Sequence, residues 1–184
     1  MGLARPRIEP IPESEWNDEI REILPRAPGA GPVPNIFATV ARHPKLLKRW
    51  LVFGGHVLGK STLPAREREI LILRTGWLCH CEYEWGQHVI IGRKVGLSDD
   101  EIRRITQGPS APGWDPFDAT LLTAADELRA QAMIGDATWS ALAARYSTMQ
   151  LLDLVFTVGQ YTLVSMALNT LGVQLDAGVE GFPR

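Results

Sequence analysis

Four side chains able to move protons or attack carbon lie within twenty residues of one another: Glu69, Cys81, Glu84 and His88. Cys81, Glu84 and His88 stand at i, i+3 and i+7. On an α-helix, at 100° per residue, they share one narrow stripe. Trp85, Ile91, Gly92 and Val95 fall on that stripe too, while Glu82, Tyr83, Gln87, Arg93 and Lys94 fall opposite. The stripe expected to face a core thus carries a thiol, a carboxylate and an imidazole. A buried carboxylate is costly unless it is paired, hydrogen-bonded or protonated. The pattern therefore reads as acid–base chemistry, with His88, whose ordinary pKa is near neutral, as general acid or base. Glu84, one turn away, would orient His88 or carry the proton itself. The plainer alternative makes Glu84 and His88 an i,i+4 pair at the lip of an interface and Cys81 a small buried hydrophobe.

Glu69 ends the charged run Arg66–Glu67–Arg68–Glu69, just before Ile70–Leu73. Either that run is a solvated first turn with Glu69 held by Arg66, or Glu69 is aimed at a polar pocket. Trp85 is the candidate apolar wall of such a pocket, and His56, beside the small pair Gly54–Gly55, is a candidate to reach it. Arg49, Arg74 and Arg93 are equal candidates to hold a substrate carboxylate. Cys79, His80, Cys81 and His88 cluster, but C-x-C is not a zinc-knuckle spacing and no second Cys/His pair exists, so no metal is expected. No glycine-rich phosphate loop, nucleophile elbow or dinucleotide fingerprint occurs, and no cofactor is expected.

These residues must be positioned by helices. Pro12–Trp16 starts a short helix that Pro25 ends, and Ala27–Pro34 reads as a Pro/Gly loop. Helices follow over Asn35–Ala41, from Pro44 to about Leu58, and from Pro64 to about Trp77. A break near Cys79–His80 precedes the helix that carries Glu84 and His88 and ends before Gly96. Ser98 with Glu101 forms a capping box for the next. After the loop Gly108–Trp114, helices cover Asp115 to about Met133, Asp136 to Tyr146 and Met149 to Leu171. No period-two alternation appears. The expectation is an all-α bundle of about eight helices and no sheet, with an N-terminal helix and loop over 1–34 and a helical domain over 35–184.

Composition narrows the partners. The 184 residues carry a net charge of −2 and 45% hydrophobic residues, enough for one sizeable core. No stretch concentrates Lys or Arg, so no nucleic acid is expected. Leu151–Val173 is apolar but holds Asp153, Gln160 and Asn169, so a buried helix is expected rather than a membrane span. Met1–Pro12 shows no apolar leader, and two cysteines two residues apart suit no structural disulfide; a cytoplasmic protein is expected.

The strings Arg66–Leu73 and Cys81-Glu82-Tyr83-Glu84-Trp85-Gly86-Gln87-His88 resemble the core motif of the carboxymuconolactone decarboxylase family, part of the alkylhydroperoxidase D-like superfamily. The likeness is strongest from about 50 to 130. In the peroxidase branch the motif is a Glu, a Cys twelve residues on, and C-x-x-C-x-x-x-H; here Glu69, Cys81 and His88 hold those places and Glu84 holds that of the second Cys. A dithiol cycle needs an attacking thiolate and a resolving thiol, and Glu84 supplies neither. The resemblance thus implies an alkylhydroperoxidase D-like bundle and a cofactor-free, decarboxylase-type lyase acting on a small carboxylated lactone or related acid, at Glu69, Cys81, Glu84 and His88. It leaves open a thiol peroxidase or reductase, in which Cys81, at a helix N-terminus, would have a lowered pKa. A non-catalytic helical protein, with Glu84 and His88 sealed from any cavity, is the third alternative. Family members assemble as trimers or hexamers, so the resemblance implies a homo-oligomer.

Overall fold

The computed structural model describes residues 3–25 and 31–183. Among them are nine α-helices and no strand: α1 (Asp18–Ile23), α2 (Asn35–Val40), α3 (Pro44–Gly59), α4 (Ala65–Leu78), α5 (Glu82–Lys94), α6 (Asp99–Gln107), α7 (Pro116–Gln131), α8 (Asp136–Ala143) and α9 (Thr148–Leu171). The all-helical expectation holds. The first helix differs from its reading. A 3-10 turn at Glu13–Glu15 comes first, and α1 then starts anew because the Asn17 side chain accepts from the Ile20 N–H at 2.9 Å. Of the loop expected over 27–34, residues up to Ala30 lie outside the described residues.

The centre of the bundle is α4. It packs against α5, α6, α7 and α9, and Ile70, Leu71, Ile72 and Leu73 are all fully buried. A helix enclosed on every side must be apolar all round or bring a partner for each charge. In α4 the charges have partners. Arg66 grips Asp118 through two nitrogens and also reaches Glu101. Glu67 takes Tyr146 and Arg145. Arg74 grips Asp126 at 2.6 and 2.9 Å and donates to the Ile105 carbonyl. These bonds lock α4 to α6, α7 and the α8–α9 turn, and so fix where Glu69 points.

Two further features frame the site. The α4–α5 turn is made by His80 in the left-handed region (φ 50), which reverses the chain and lets Cys81 cap α5. The expected capping box at Ser98 and Glu101 is present, and a second one starts α9 at Ser147 and Gln150. α9 is long and apolar enough to cross a membrane by length and composition; half of its most apolar window is buried against the other helices. Its outer side, with neighbouring α3, leaves Val52, Phe53, Leu152, Phe156, Leu163 and Met166 exposed.

Candidate active site

The run Arg66–Glu69 is not a solvated turn. Glu67 is 6% exposed and Glu69 0%, and Arg66 is taken by other acids, so it does not hold Glu69. Glu69 instead faces α5. Its Oε2 lies 2.6 Å from His88 Nδ1, and His88 Nε2 lies 2.9 Å from Glu84 Oε1. Arg68 Nε stands 3.5 Å from Glu69 Oε1. The four side chains therefore form a row of alternating charge: Arg68, Glu69, His88, Glu84. The end at Glu84 and His88 opens on a cavity. That opening contradicts the alternative in which the pair is sealed.

The cavity holds about 290 Å³ between α2, α3, α5 and α9. Its apolar wall comes from Ile36, Phe37, Trp50, Leu58, Ile91 and Val164. Its polar groups are Tyr83, Glu84, Gln87, His88, Gln160 and Tyr161. The Tyr161 ring stands edge-on to the His88 ring at 4.8 Å. Gly54 keeps the floor open: a Cβ there would meet Gln160 Nε2 at 3.5 Å and fill the space between α3 and α9. Among the described residues, no Lys or Arg lines the cavity.

The electrostatics of His88 follow from its neighbours. Burial favours the neutral ring, but hydrogen bonds and charge from Glu69 and Glu84 outweigh it and raise the pKa from 6.5 to about 9. His88 is therefore an imidazolium at neutral pH rather than a base poised there, which corrects the sequence reading. Because the folded pKa lies above the ordinary value, the stabilisation from this ring is fully present below about 6.5 and is lost as pH rises through about 9. Urea midpoints measured from about pH 6 to about pH 10 should fall across the upper half of that range, and His88→Asn should flatten the fall.

Three other expected site residues lie elsewhere. Cys81 is fully buried at the start of α5 against Tyr83, Val164 and Leu168, and does not line the cavity. Burial outweighs the helix-end effect and pushes its thiol up to about 12, opposite to the lowered value expected of a reactive thiolate. Trp85 sits 100° round α5 from Glu84, turned away from the cavity. There it packs on Trp77 and Phe182, with ring centres 5.6 and 5.8 Å away. His56 also turns away: its Nε2 meets Asp153 Oδ1 at 3.0 Å, and Asp153 accepts from Thr62 as well. Arg49 is exposed, Arg74 is held by Asp126 and Arg93 by Asp99, so none of the three reaches the cavity. No group of three or more His, Cys, Asp or Glu side chains arranged to hold a metal occurs among the described residues.

Tyr83 and Gln87, expected on the polar side of α5, are cavity residues because α2 and the C-terminal segment cover that flank. Gln160 and Tyr161 were not singled out as site residues. The available signal was a carboxamide in the middle of an otherwise apolar helix, and it is 4% exposed.

The model of the carboxymuconolactone decarboxylase family matches residues 44–127, from α3 through most of α7, and so takes in Glu69, Glu84 and His88. That segment is similar to the carboxymuconolactone decarboxylase family. Solved structures of similar fold extend the likeness beyond that segment. An uncharacterised peroxidase-related protein with an alkylhydroperoxidase AhpD core, from Ralstonia eutropha JMP134, superposes with a TM-score of 0.80 at 22% identity, covering 95% of each chain. A peroxidase-related protein from Silicibacter sp. TM1040 gives 0.73 at 19% identity, over 97% of this chain and 93% of that one. A cysteine-to-alanine variant of the debrominase Bmp8, solved with 2,3,4-tribromopyrrole, gives 0.76 at 11% identity, over 95% and 94%. At these identities the likeness establishes the alkylhydroperoxidase D-like fold. No curated protein matches the sequence. This chain pairs the buried imidazolium with two carboxylates.

Proposed function

We propose that the cavity is the active site of a cofactor-free acid–base lyase that decarboxylates a small carboxylated lactone or related unsaturated acid. The observation that carries this reading is the Glu69–His88–Glu84 relay, which ends on an apolar cavity that no Lys or Arg lines among the described residues. A carboxylate held there has little to stabilise its charge, so a transition state that disperses the charge is favoured over the ground state. The C–CO2 bond breaks, carbon dioxide leaves, and the electron pair stays as a dienolate. The proton passes from His88 Nε2–H to the Glu84 carboxylate and from Glu84 to carbon; His88 regains its proton from solvent. Each turnover thus consumes one proton and needs no redox partner. Glu69 acts through His88 and holds it in the charged, proton-bearing form. The test is turnover of a panel of carboxylated lactones, with carbon dioxide release as the readout; no release from any member, with wild type folded, defeats the reading.

A thiol peroxidase is the second reading, supported by the similar fold of the peroxidase-related proteins. Against it stand a buried Cys81 thiol raised to about 12 and a glutamate where a resolving thiol would be. Cys81→Ser and Cys79→Ser should each keep carbon dioxide release within about threefold of wild type, and wild type should not consume organic hydroperoxides. Loss of turnover in Cys79→Ser would reverse the choice.

Self-assembly is part of the proposal. The exposed apolar side of α3 and α9, including the edge-on pair Phe53 and Phe156, supports contact between copies. A cytoplasmic setting remains part of it too, supported by two free cysteines and no disulfide.

A further inference from the structure

We infer that Asp176, far beyond the family segment, is a specificity-determining positioning residue. It turns the Gln87 carboxamide so that the carbonyl faces the cavity, and so selects occupants that carry an O–H or N–H donor. The inference rests on the proposal that the cavity is the substrate site.

The geometry is a convergence of three donors on one carboxylate. Tyr83 donates its hydroxyl to Asp176 Oδ2 at 2.7 Å, and Gln87 donates Nε2 to the same oxygen at 2.6 Å. The Asn35 backbone N–H donates to Oδ1 at 2.8 Å. A carboxylate only accepts, so Gln87 must turn its NH2 towards Asp176. Gln87 lines the cavity and Asp176 does not. The Gln87 carbonyl is therefore the end left for an occupant, and it has no hydrogen bond among the described residues.

Of the other polar groups, Glu84 and the Gln160 carbonyl also line the cavity as acceptors, and Gln160 Oε1 has no hydrogen-bond partner among the described residues, so the Gln87 variant decides which of them the donor meets. The Tyr83 hydroxyl is spent: it donates to Asp176 and accepts from the Ile36 N–H at 3.2 Å. Both His88 nitrogens are spent on Glu69 and Glu84. An occupant without a donor would strip water from the Gln87 carbonyl and return nothing. Sites built around such a group reject the analogue that lacks the matching partner. Asp176 is itself fixed in place, because Asn35 Nδ2 donates to the Gln174 carbonyl at 3.0 Å and ties the segment to α2.

The test uses two rings of nearly equal size, 4-chlorophenol and 4-chlorotoluene, which differ by a hydroxyl in place of a methyl. Binding to the full chain is measured by calorimetry for wild type, Asp176→Asn and Gln87→Met. Wild type should hold the phenol about tenfold more tightly than the toluene. Both variants should bring the two affinities to within about twofold. General damage to the cavity would weaken both rings alike and leave their ratio unchanged. Gln87 is half-buried and Asp176 keeps two other donors without it, so Gln87→Met serves if Asp176→Asn fails to fold. A preference that survives in Gln87→Met assigns the donor's partner to Glu84 or Gln160 and overturns the inference. So does equal affinity in wild type, or no binding of either ring. Nothing is turned over in this assay. A chain that shows the preference but releases no carbon dioxide faults the lyase reading alone, and the converse result faults Asp176 alone.

Discussion

Replacing His88 by alanine should lower kcat/KM for carbon dioxide release by about a thousandfold, within the range that a positioned acid–base group contributes. The loss has two parts. Glu84 loses the group that reprotonates it, and Glu69 loses the only ring nitrogen it holds. Two carboxylates then face each other across a buried gap without the cation between them. Breaking a buried charged set in this way costs about 3 kcal/mol, and the melting temperature should fall by about 6–12 °C. The two effects separate by chemical rescue. The deleted ring stood at the cavity wall, so added imidazole can enter and restore turnover. Recovery of several-fold with imidazole, at a temperature well below melting, would show that the loss is chemical. A folded His88→Ala chain with wild-type kcat/KM would remove His88 from the reaction.

Gly86→Ala should be the most damaging single methyl in the family segment. A Cβ at Gly86 would stand 2.4 Å from the Glu180 carbonyl oxygen and 2.7 Å from Val179 Cγ1. The first is backbone, so the C-terminal segment must move as a piece. Overpacking of this kind costs about 2 kcal/mol, or about 4–8 °C of melting temperature. Phe182 would be displaced from Trp77 and Trp85, and hydrogen exchange at the Val179 N–H, bonded to the Asp176 carbonyl, should accelerate. Gly159→Ala is the matched control. Nothing lies within 4 Å of its Cβ, and it should gain about 1 kcal/mol from helix propensity. A Gly86→Ala chain as stable as wild type would mean that the C-terminal segment is not seated on α5.

Much of the helix layout could be read from the chain because its signals are local. The Ser98–Glu101 capping box, the prolines Pro44 and Pro64 that open α3 and α4 and the break at Cys79–His80 all act within a few residues. Glu69, Glu84 and His88 were legible for the same reason, since their spacing alone brings Glu84 and His88 together and marks Glu69 as out of place in an apolar helix. Trp85 and His56 were misjudged because a stripe on a helix is about 100° wide, and its two edges face different neighbours. The fates of Arg66, Arg74 and Arg93 depend on acids up to 52 residues away, which no local pattern shows. The Cys81 pKa inverted because a helix start lowers a thiol only where solvent or charge reaches it, and here α9 covers it. Asp176 gave no signal at all. It is one acid in a short tail, and its role exists only once that tail folds back across α5.

The alternation Arg68, Glu69, His88, Glu84 has a bearing on how molecules arrive. Two positive and two negative groups in a row cancel beyond a few ångströms, and what field remains is damped within about 8–10 Å at physiological salt. A molecule diffusing towards the mouth therefore feels neither pull nor push from the machinery inside. Encounter is left to chance collision with a greasy rim, and discrimination begins only after entry.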